Sequence, residues 1–208
     1  QMASRNASDA QAMIDTADGA HQEVHSMLLR MREIAVQAVN GTLNSADRTA
    51  LNTEMTAMET EINKIADNTQ FGGINLGTSS AVTFQVGAAK GVTISHTFKD
   101  FDATKIGATG GVDTATNAAN AISLIDDAIS LVSTRRGELG ALSNRLTSTI
   151  ANLDNIAVNL SSARGRIQDT DFATETSNLA KSQIMQQAAT AMLAQANASK
   201  QTVLALIQ

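Results

Sequence analysis

AANAISLIDDAISLVSTRRGELGALSNRLTSTIANLDNIAVNLSSARGRI, residues 118–167, repeats apolar or small residues at alternating three- and four-residue steps. The seam is Ala118, Ala121, Ile125, Ala128, Val132, Arg135, Leu139, Leu142, Leu146, Thr149, Leu153, Ile156, Leu160, Ala163 and Ile167, and only Arg135 and Thr149 interrupt it. Such spacing sets these side chains on one face of an α-helix. About 50 residues of helix rise about 75 Å, well beyond an ordinary globular helix. A seam of that length has to be covered by other long helices. The stretch therefore predicts a packed rod, not a globule around a catalytic cleft.

The rest of the composition agrees. The chain has 208 residues with five Phe and no Trp or Tyr, so its apolar side chains are mostly small ones suited to close helix contacts. Proline is absent, which leaves long helices uninterrupted. Cysteine is absent too, excluding disulfides and thiolate metal sites. A net charge of −5 with 15 scattered basic residues speaks against nucleic acid, whose phosphates call for concentrated Lys and Arg. No window reaches the roughly 18 apolar residues of a membrane span, and no basic and apolar leader opens the chain, so neither membrane insertion nor a visible signal peptide is expected. The helical pattern is already under way at Gln1, which reads as sequence missing on the N-terminal side.

Two further helices precede the long one. The first has a seam through Ala10, Met13, Ala17, Ala20, Val24, Met27, Met31, Ile34 and Ala38, and Asn40-Gly41 stops it. Ser45 is the expected N-cap of the second, whose seam is Leu51, Met55, Met58, Ile62 and Ile65. The short linker makes the pair antiparallel. Between about residues 71 and 115 the helical period disappears and glycines cluster. Val82–Val86 and Val92–Ser95 alternate with period two around Gly87-Ala88-Ala89-Lys90-Gly91, which reads as a hairpin. The expected architecture is mainly α: an elongated rod of long antiparallel helices over about 3–39, 46–67 and 116–163, a small β-hairpin over 82–95, and an apolar C-terminal helix. From Thr174 to Gln208 the chain holds one Glu and two Lys. There the seam Met185, Ala189, Met192, Ala196, Ser199, Val203 and Leu206 is widened by Ile184, Ala188, Ala191, Leu193, Leu204 and Ile207. So wide an apolar stripe calls for partners, either further copies or a chaperone.

Catalytic chemistry finds little support. His21 and His25 share a helix face at i,i+4, but no third ligand is at hand and the HExxH order is absent; solvated helix histidines are the expectation. Asp126-Asp127 reads as the outer face of a helix, and Asp169 with Asp171 as capping or turning residues at a helix junction. Neither a nucleophile elbow nor a phosphate loop is present, so no enzyme, metal or cofactor is expected. Arg30, Arg32 and Glu33 form either a solvated helix face or an anchor for a partner protein.

Three stretches resemble one known family. They are Ala3-Ser4-Arg5-Asn6 with Leu29-Arg30-Met31-Arg32-Glu33-Ile34-Ala35-Val36-Gln37, then Glu61 through Gly73 (EINKIADNTQFGG), then Ala163 through Ala173 (ARGRIQDTDFA). The tail from Gln183 through Gln208 matches as well. The chain resembles bacterial flagellin in a short form without large variable outer domains; only about 78–115 falls in the family's variable middle. The resemblance implies a D1 rod domain over residues 1–165, with the hairpin region at about 71–115, and a D0 inner-tube segment over 166–208 whose N-terminal partner helix is not in this sequence. It implies a structural subunit of the extracellular flagellar filament, exported by the flagellar type III apparatus without a cleaved signal peptide. A hook-filament junction protein or a helical protein-binding module are the alternatives. Implied partners are other flagellin subunits, the export chaperone, filament cap and hook-junction proteins, and the host Toll-like flagellin receptor. The family's receptor contacts fall on Arg30, Ile34 and Glu54, with Arg32 and Glu33 nearby, and Ile34 stands where the familiar motif has Leu. Ile184, Met185, Met192, Leu193, Val203, Leu204 and Ile207 are the filament or chaperone contacts. Without its partner helix, the chain alone is expected not to grow regular filaments.

Overall fold

The computed structural model describes residues 1–205, apart from the side chains of residues 169–171 and 200–205. The chain forms two compact units, Gln1–Asp154 and Asn155–Gln208. In order, its elements are α1 (Met2–Val39), α2 (Ser45–Asn68), β1 (Gln70–Phe71), β2 (Ile74–Asn75), β3 (Ser80–Gln85), β4 (Thr93–Phe98), α3 (Ala103–Ile106) and α4 (Ala115–Ala205). Long antiparallel helices and a small antiparallel hairpin are what the seams and the glycine cluster predict.

In the first unit α1 is antiparallel to both other long helices. Arg30 meets Glu54 and Arg48 meets the Ala38 carbonyl on the α2 side. On the α4 side the pairs are Ser4 with Asp154, Asp18 with Arg136, and Arg32 with Asp126. Because α1 has neighbours on two sides and the hairpin near its start, it buries more than one seam. Ile14, His21, Leu28 and Ala35 join the expected positions, while Ala20 and Met27 are only partly buried. The α4 seam is buried from Ala118 through Val132 and from Leu139 through Leu146.

Local chemistry fixes the ends. Asn44, not Ser45, caps α2: its side chain accepts from the Asp47 N–H at 2.9 Å while Asp47 accepts from the Asn44 N–H at 3.1 Å. Asn and Ser are comparable caps, and the reciprocal box with Asp47 decides between them. The β1–β2 turn places Gly72 and Gly73 at φ of 59° and 84°, the paired positive φ of a tight hairpin turn that glycine adopts without strain. β3 and β4 pair in register from Ser80↔Phe98 to Gln85↔Thr93, so the expected hairpin is present and runs further, to residues 80 and 98.

The return path to α4 is tied to α2 by three side chains spaced along it. Asn52 accepts from the Val112 N–H at 2.8 Å, Glu59 from the Gly110 N–H at 3.2 Å, and Asn63 from the Ala103 N–H at 2.9 Å. A glycine-rich strap thereby satisfies its backbone without a sheet.

Two expectations are corrected in α4. The helix does not end near residue 163 but continues to Ala205. Gly165 disfavours helix by only about 1 kcal/mol, and no proline stops the run. Consequently the backbone at residues 169–171 is helical, not the expected turn; the side chains of Asp169 and Asp171 lie outside the described residues. In the second unit, taken by itself, helical side chains from Ile156 onward are exposed at most large apolar positions.

Candidate contact and assembly surfaces

One candidate surface lies on the outer face of α1 and α2. Arg30, one residue before the buried Met31 and so about 100° away around the helix, points outward, where it donates from Nε and Nη2 to Glu54 at 3.2 and 2.9 Å and from Nη1 to Glu33 at 3.0 Å. The hydrogen bonds to Glu33 and then Glu54 hold its pKa above the ordinary arginine value. Two positions on, Arg32 points to the other side of α1 and meets Asp126 of α4 at 2.6 Å. All five side chains of these three ion pairs stay substantially exposed, so the pairs orient side chains more than they stabilise the fold.

Ile34 does not belong to that surface. It is 0% exposed, inside the core with Leu28, Met31 and Ile62, because the i+3 step from Met31 keeps it on the inward face of α1. Apart from Met2 at its start, the large apolar side chains that α1 does expose are Leu29 and Val36, at 46% and 49%. The sequence could have given them: both fall outside the buried seam.

The second candidate surface is the apolar face of the second unit. Ile184, Met185, Met192 and Leu193 are 66%, 65%, 71% and 64% exposed. Val203 and Leu204, as side chains, and Ile207 altogether lie outside the described residues. The surface begins earlier than the tail composition suggests, since Ile156, Val158, Leu160, Ile167, Phe172 and Leu179 are exposed as well. Ile156, Leu160 and Ile167 belong to the expected rod seam, and periodicity alone does not tell a covered seam from a bare one.

The histidines are not the solvated pair that spacing suggests. His21 is buried, its Nδ1–H donates to the Ala17 carbonyl at 2.8 Å, and its ring packs on Phe101 at 4.5 Å between centroids. Burial, first, and Arg135 hold its pKa below the ordinary value. His96 stacks edge-on against Phe98 and is likewise lowered by burial. Among the described residues no three His, Cys, Asp or Glu side chains are grouped to hold a metal. Asp126 is engaged by Arg32, and Asp127 is exposed, as an outer helix face requires. No helix among the described residues is long and apolar enough to cross a membrane.

A helical unit with a closed core, in one chain with a second helical unit whose large apolar side chains are mostly exposed among the described residues, is the build of a structural protein. The chain matches the bacterial flagellin N-terminal helical region over residues 1–78 and the bacterial flagellin C-terminal helical region over residues 122–207. It is 44% identical to a flagellin of Halalkalibacterium halodurans, over 99% of this chain and 78% of that one. With a flagellin of Bacillus subtilis it shares 38% identity over 100% of this chain and 81% of the other. Among solved structures it resembles Bacillus cereus flagellin with a TM-score of 0.65 and 30% identity, covering 77% of this chain and 94% of that one. A putative flagellar hook-associated protein from Vibrio parahaemolyticus shares the fold, with a TM-score of 0.67 at 18% identity over 79% of this chain and 89% of the other. The chain belongs to the bacterial flagellin family. It is a structural subunit of the extracellular flagellar filament, assembles with other flagellin subunits, and is not an enzyme.

Proposed function

We propose that residues 1–165 serve as the D1 rod domain and residues 166–208 as the D0 inner-tube segment, and that the bare apolar face of the C-terminal segment is what makes the subunit assemble. The observation that carries this reading is the exposure of Ile184, Met185, Met192 and Leu193 in a unit where, among the described residues, no buried apolar cluster takes them. Water penalises such surface at about 25 cal/mol per Å², so neighbouring subunits that cover it gain from doing so. The contacts are head-to-tail and continue into a helical tube.

Before assembly the same face needs a temporary cover. The flagellar export chaperone is the partner suited to it, by laying the apolar helix into a groove, with passage through the flagellar type III apparatus and no cleaved signal peptide. Filament cap and hook-junction proteins are the neighbours at the two ends of the assembly. Titrating the export chaperone against the full chain and against a variant carrying Ile184→Lys with Leu193→Lys tests the cover. At least tenfold weaker binding is expected of the variant; equal affinity would move the site elsewhere.

Arg30 and Glu54, held together at the surface, are the residues we assign to contact with the host Toll-like flagellin receptor, with Arg32 and Glu33 beside them. The hook-filament junction alternative is favoured only by a fold likeness at 18% identity, against 44% to a flagellin.

A further inference from the structure

The core of the first unit is two apolar blocks, not one. The first contains Val24, Leu28 and Met31 of α1 with Ile125 and Val132 of α4. The second contains Ile14 and Ala17 of α1 with Leu139, Leu142 and Leu146 of α4 and Leu76, Val86, Ile94 and Phe98 from the hairpin region. On α1 the gap between the blocks runs from Ala17 to Val24, and on α4 from Val132 to Leu139. Polar side chains fill it together with Ala20 and with Phe101, the edge of the first block on that side.

His21 lies there, buried, on Phe101. Arg136 donates to both carboxylate oxygens of Asp18 at 2.9 and 3.2 Å. Arg135 donates from Nη1 to the Asp100 carbonyl, and Lys99 pairs with Glu138 at 3.3 Å. Satisfaction is incomplete. Among the described residues, the buried atoms His25 Nδ1, Asp100 Oδ1 and Arg135 Nε have no hydrogen-bond partner. A cavity of about 10 Å³, lined in part by His21, His96, Arg135 and Glu138, opens at the layer, room for about one water. Buried polar atoms without partners weaken the place that holds them.

The helices are weak at the same level. Gly19 lies one residue from Asp18 on α1, and Gly137 one residue from Arg136 on α4, with Gly140 a turn further. A Cβ on any of the three would meet nothing within 4 Å, so packing does not call for glycine, while each lowers helix propensity.

We propose that the layer through His21, Asp100 and Arg135 is a joint of the first unit, which opens while the two apolar blocks stay closed, and that protonation of His21 favours the open form. The groups facing His21 are Asp18 and, one turn on, His25 of its own helix, Arg135, Arg136 and Glu138 from α4, and His96, Lys99 and Asp100 from β4 and the segment after it. Arg135, Arg136 and Lys99 are matched in number by Asp100, Asp18 and Glu138, the last two already paired to Arg136 and Lys99, so no carboxylate of the layer is left over to receive an imidazolium inside it. Burial and the arginines already disfavour the imidazolium, so its formation pushes the layer apart. Such a joint lets a filament subunit bend at one level without unpacking either block.

Amide hydrogen exchange of the full chain, resolved by residue, tests this. At about pH 7.5, amides at the layer (residues 18–23 and 133–138) should exchange at least about tenfold faster than those of both blocks, after correction for intrinsic rates. In a His96→Gln background, which removes the other imidazole of the cavity, the open fraction of the layer should rise up to about tenfold between about pH 7.5 and about pH 5.5, the limit set by one proton taken up at an ordinary pKa of about 6.5. Adding His21→Gln should abolish that rise. Equal protection across layer and blocks, or an undiminished rise without His21, overturns the proposal. Should the substituted chains not fold, the unsubstituted chain decides by magnetic resonance: exchange of the layer amides that rises with the same midpoint as the His21 ring titration supports the joint, and layer exchange that does not follow that titration refutes it.

Discussion

Gly77 runs against Ala66 so closely that a Cβ built on it would lie 1.9 Å from the Ala66 carbonyl oxygen and 2.5 Å from its carbon. The obstacle is backbone of α2, which no side-chain rotation clears. Gly77→Ala is therefore expected to lower stability by roughly 1–3 kcal/mol, the range for overpacking. Thermal unfolding of the variant checks it, and an unchanged midpoint would show that the two segments do not approach as described.

Arg48 terminates α1 from outside. Its guanidinium donates to the carbonyls of Ala38 at 2.9 Å, Leu43 at 3.0 Å and Asn40 at 3.0 Å, closing the turn that reverses the chain into α2. Charged hydrogen bonds to carbonyls are worth about 1.5–3 kcal/mol together with the desolvation they offset, and Lys lacks the planar fork. Arg48→Met should lose about that much in denaturant unfolding, with Arg48→Lys recovering only part. Recovery in full by lysine would argue for a simple charge effect at the helix end.

Long elements were legible in the sequence because one helical face repeats over many turns, as Ala118 through Leu146 does. What periodicity could not supply was the partner of each face. The same spacing continues through Ile156, Leu160 and Ile167, which are bare. Conversely, His21 looked like half of a solvated pair, yet the second buried stripe of α1, formed with Ile14, Leu28 and Ala35, carries it inside. The strap ties from Asn52, Glu59 and Asn63 were hidden for a related reason: a polar residue on a helix reads as solvated until a loop comes to meet it. Of the contact residues taken from the family resemblance, Arg30 and Glu54 sit together at the surface while Ile34 does not.

Burial separates the roles of Ile34 and Arg30. Ile34→Ala should cost about 2–5 kcal/mol and Ile34→Val about 0.5–1.5 kcal/mol, whereas Arg30→Ala should leave thermal unfolding nearly unchanged because both its partners are solvent-screened. In a cell reporter of the flagellin receptor, Arg30→Ala should lower potency, and Ile34→Val should not. Equal potency of Arg30→Ala and the parent chain would remove Arg30 from the contact.

Acid should destabilise the first unit through its buried His21 and partly buried His96. His21 and His96 both have folded pKa values below the ordinary one, each chiefly from burial. Their unfolded forms therefore bind protons first as pH falls. Stability contributed by the neutral rings is complete above about pH 6.5 and declines from there toward the lowered folded values. Denaturant midpoints measured from about pH 8 downward should be flat and then fall. The fall should be smaller for His21→Gln; a midpoint that rises on acidification through this window contradicts the sign.

Charge placed on the C-terminal apolar face should affect assembly alone. Leu193 and Ile184 are exposed, and neither takes part in the apolar blocks of the first unit, so Leu193→Lys and Ile184→Lys leave no cavity and bury no charge in the free chain. In a filament that covers the face, each lysine would have to be desolvated, at several kcal/mol for an unpaired ion. The expected result is an unchanged unfolding midpoint with strongly reduced incorporation of the variant into flagellar filaments grown from seeds in the presence of wild-type flagellin. Incorporation equal to that of the unsubstituted chain would mean that these positions remain in water in the assembly, and that the tail's apolar face is not the surface that joins one subunit to the next.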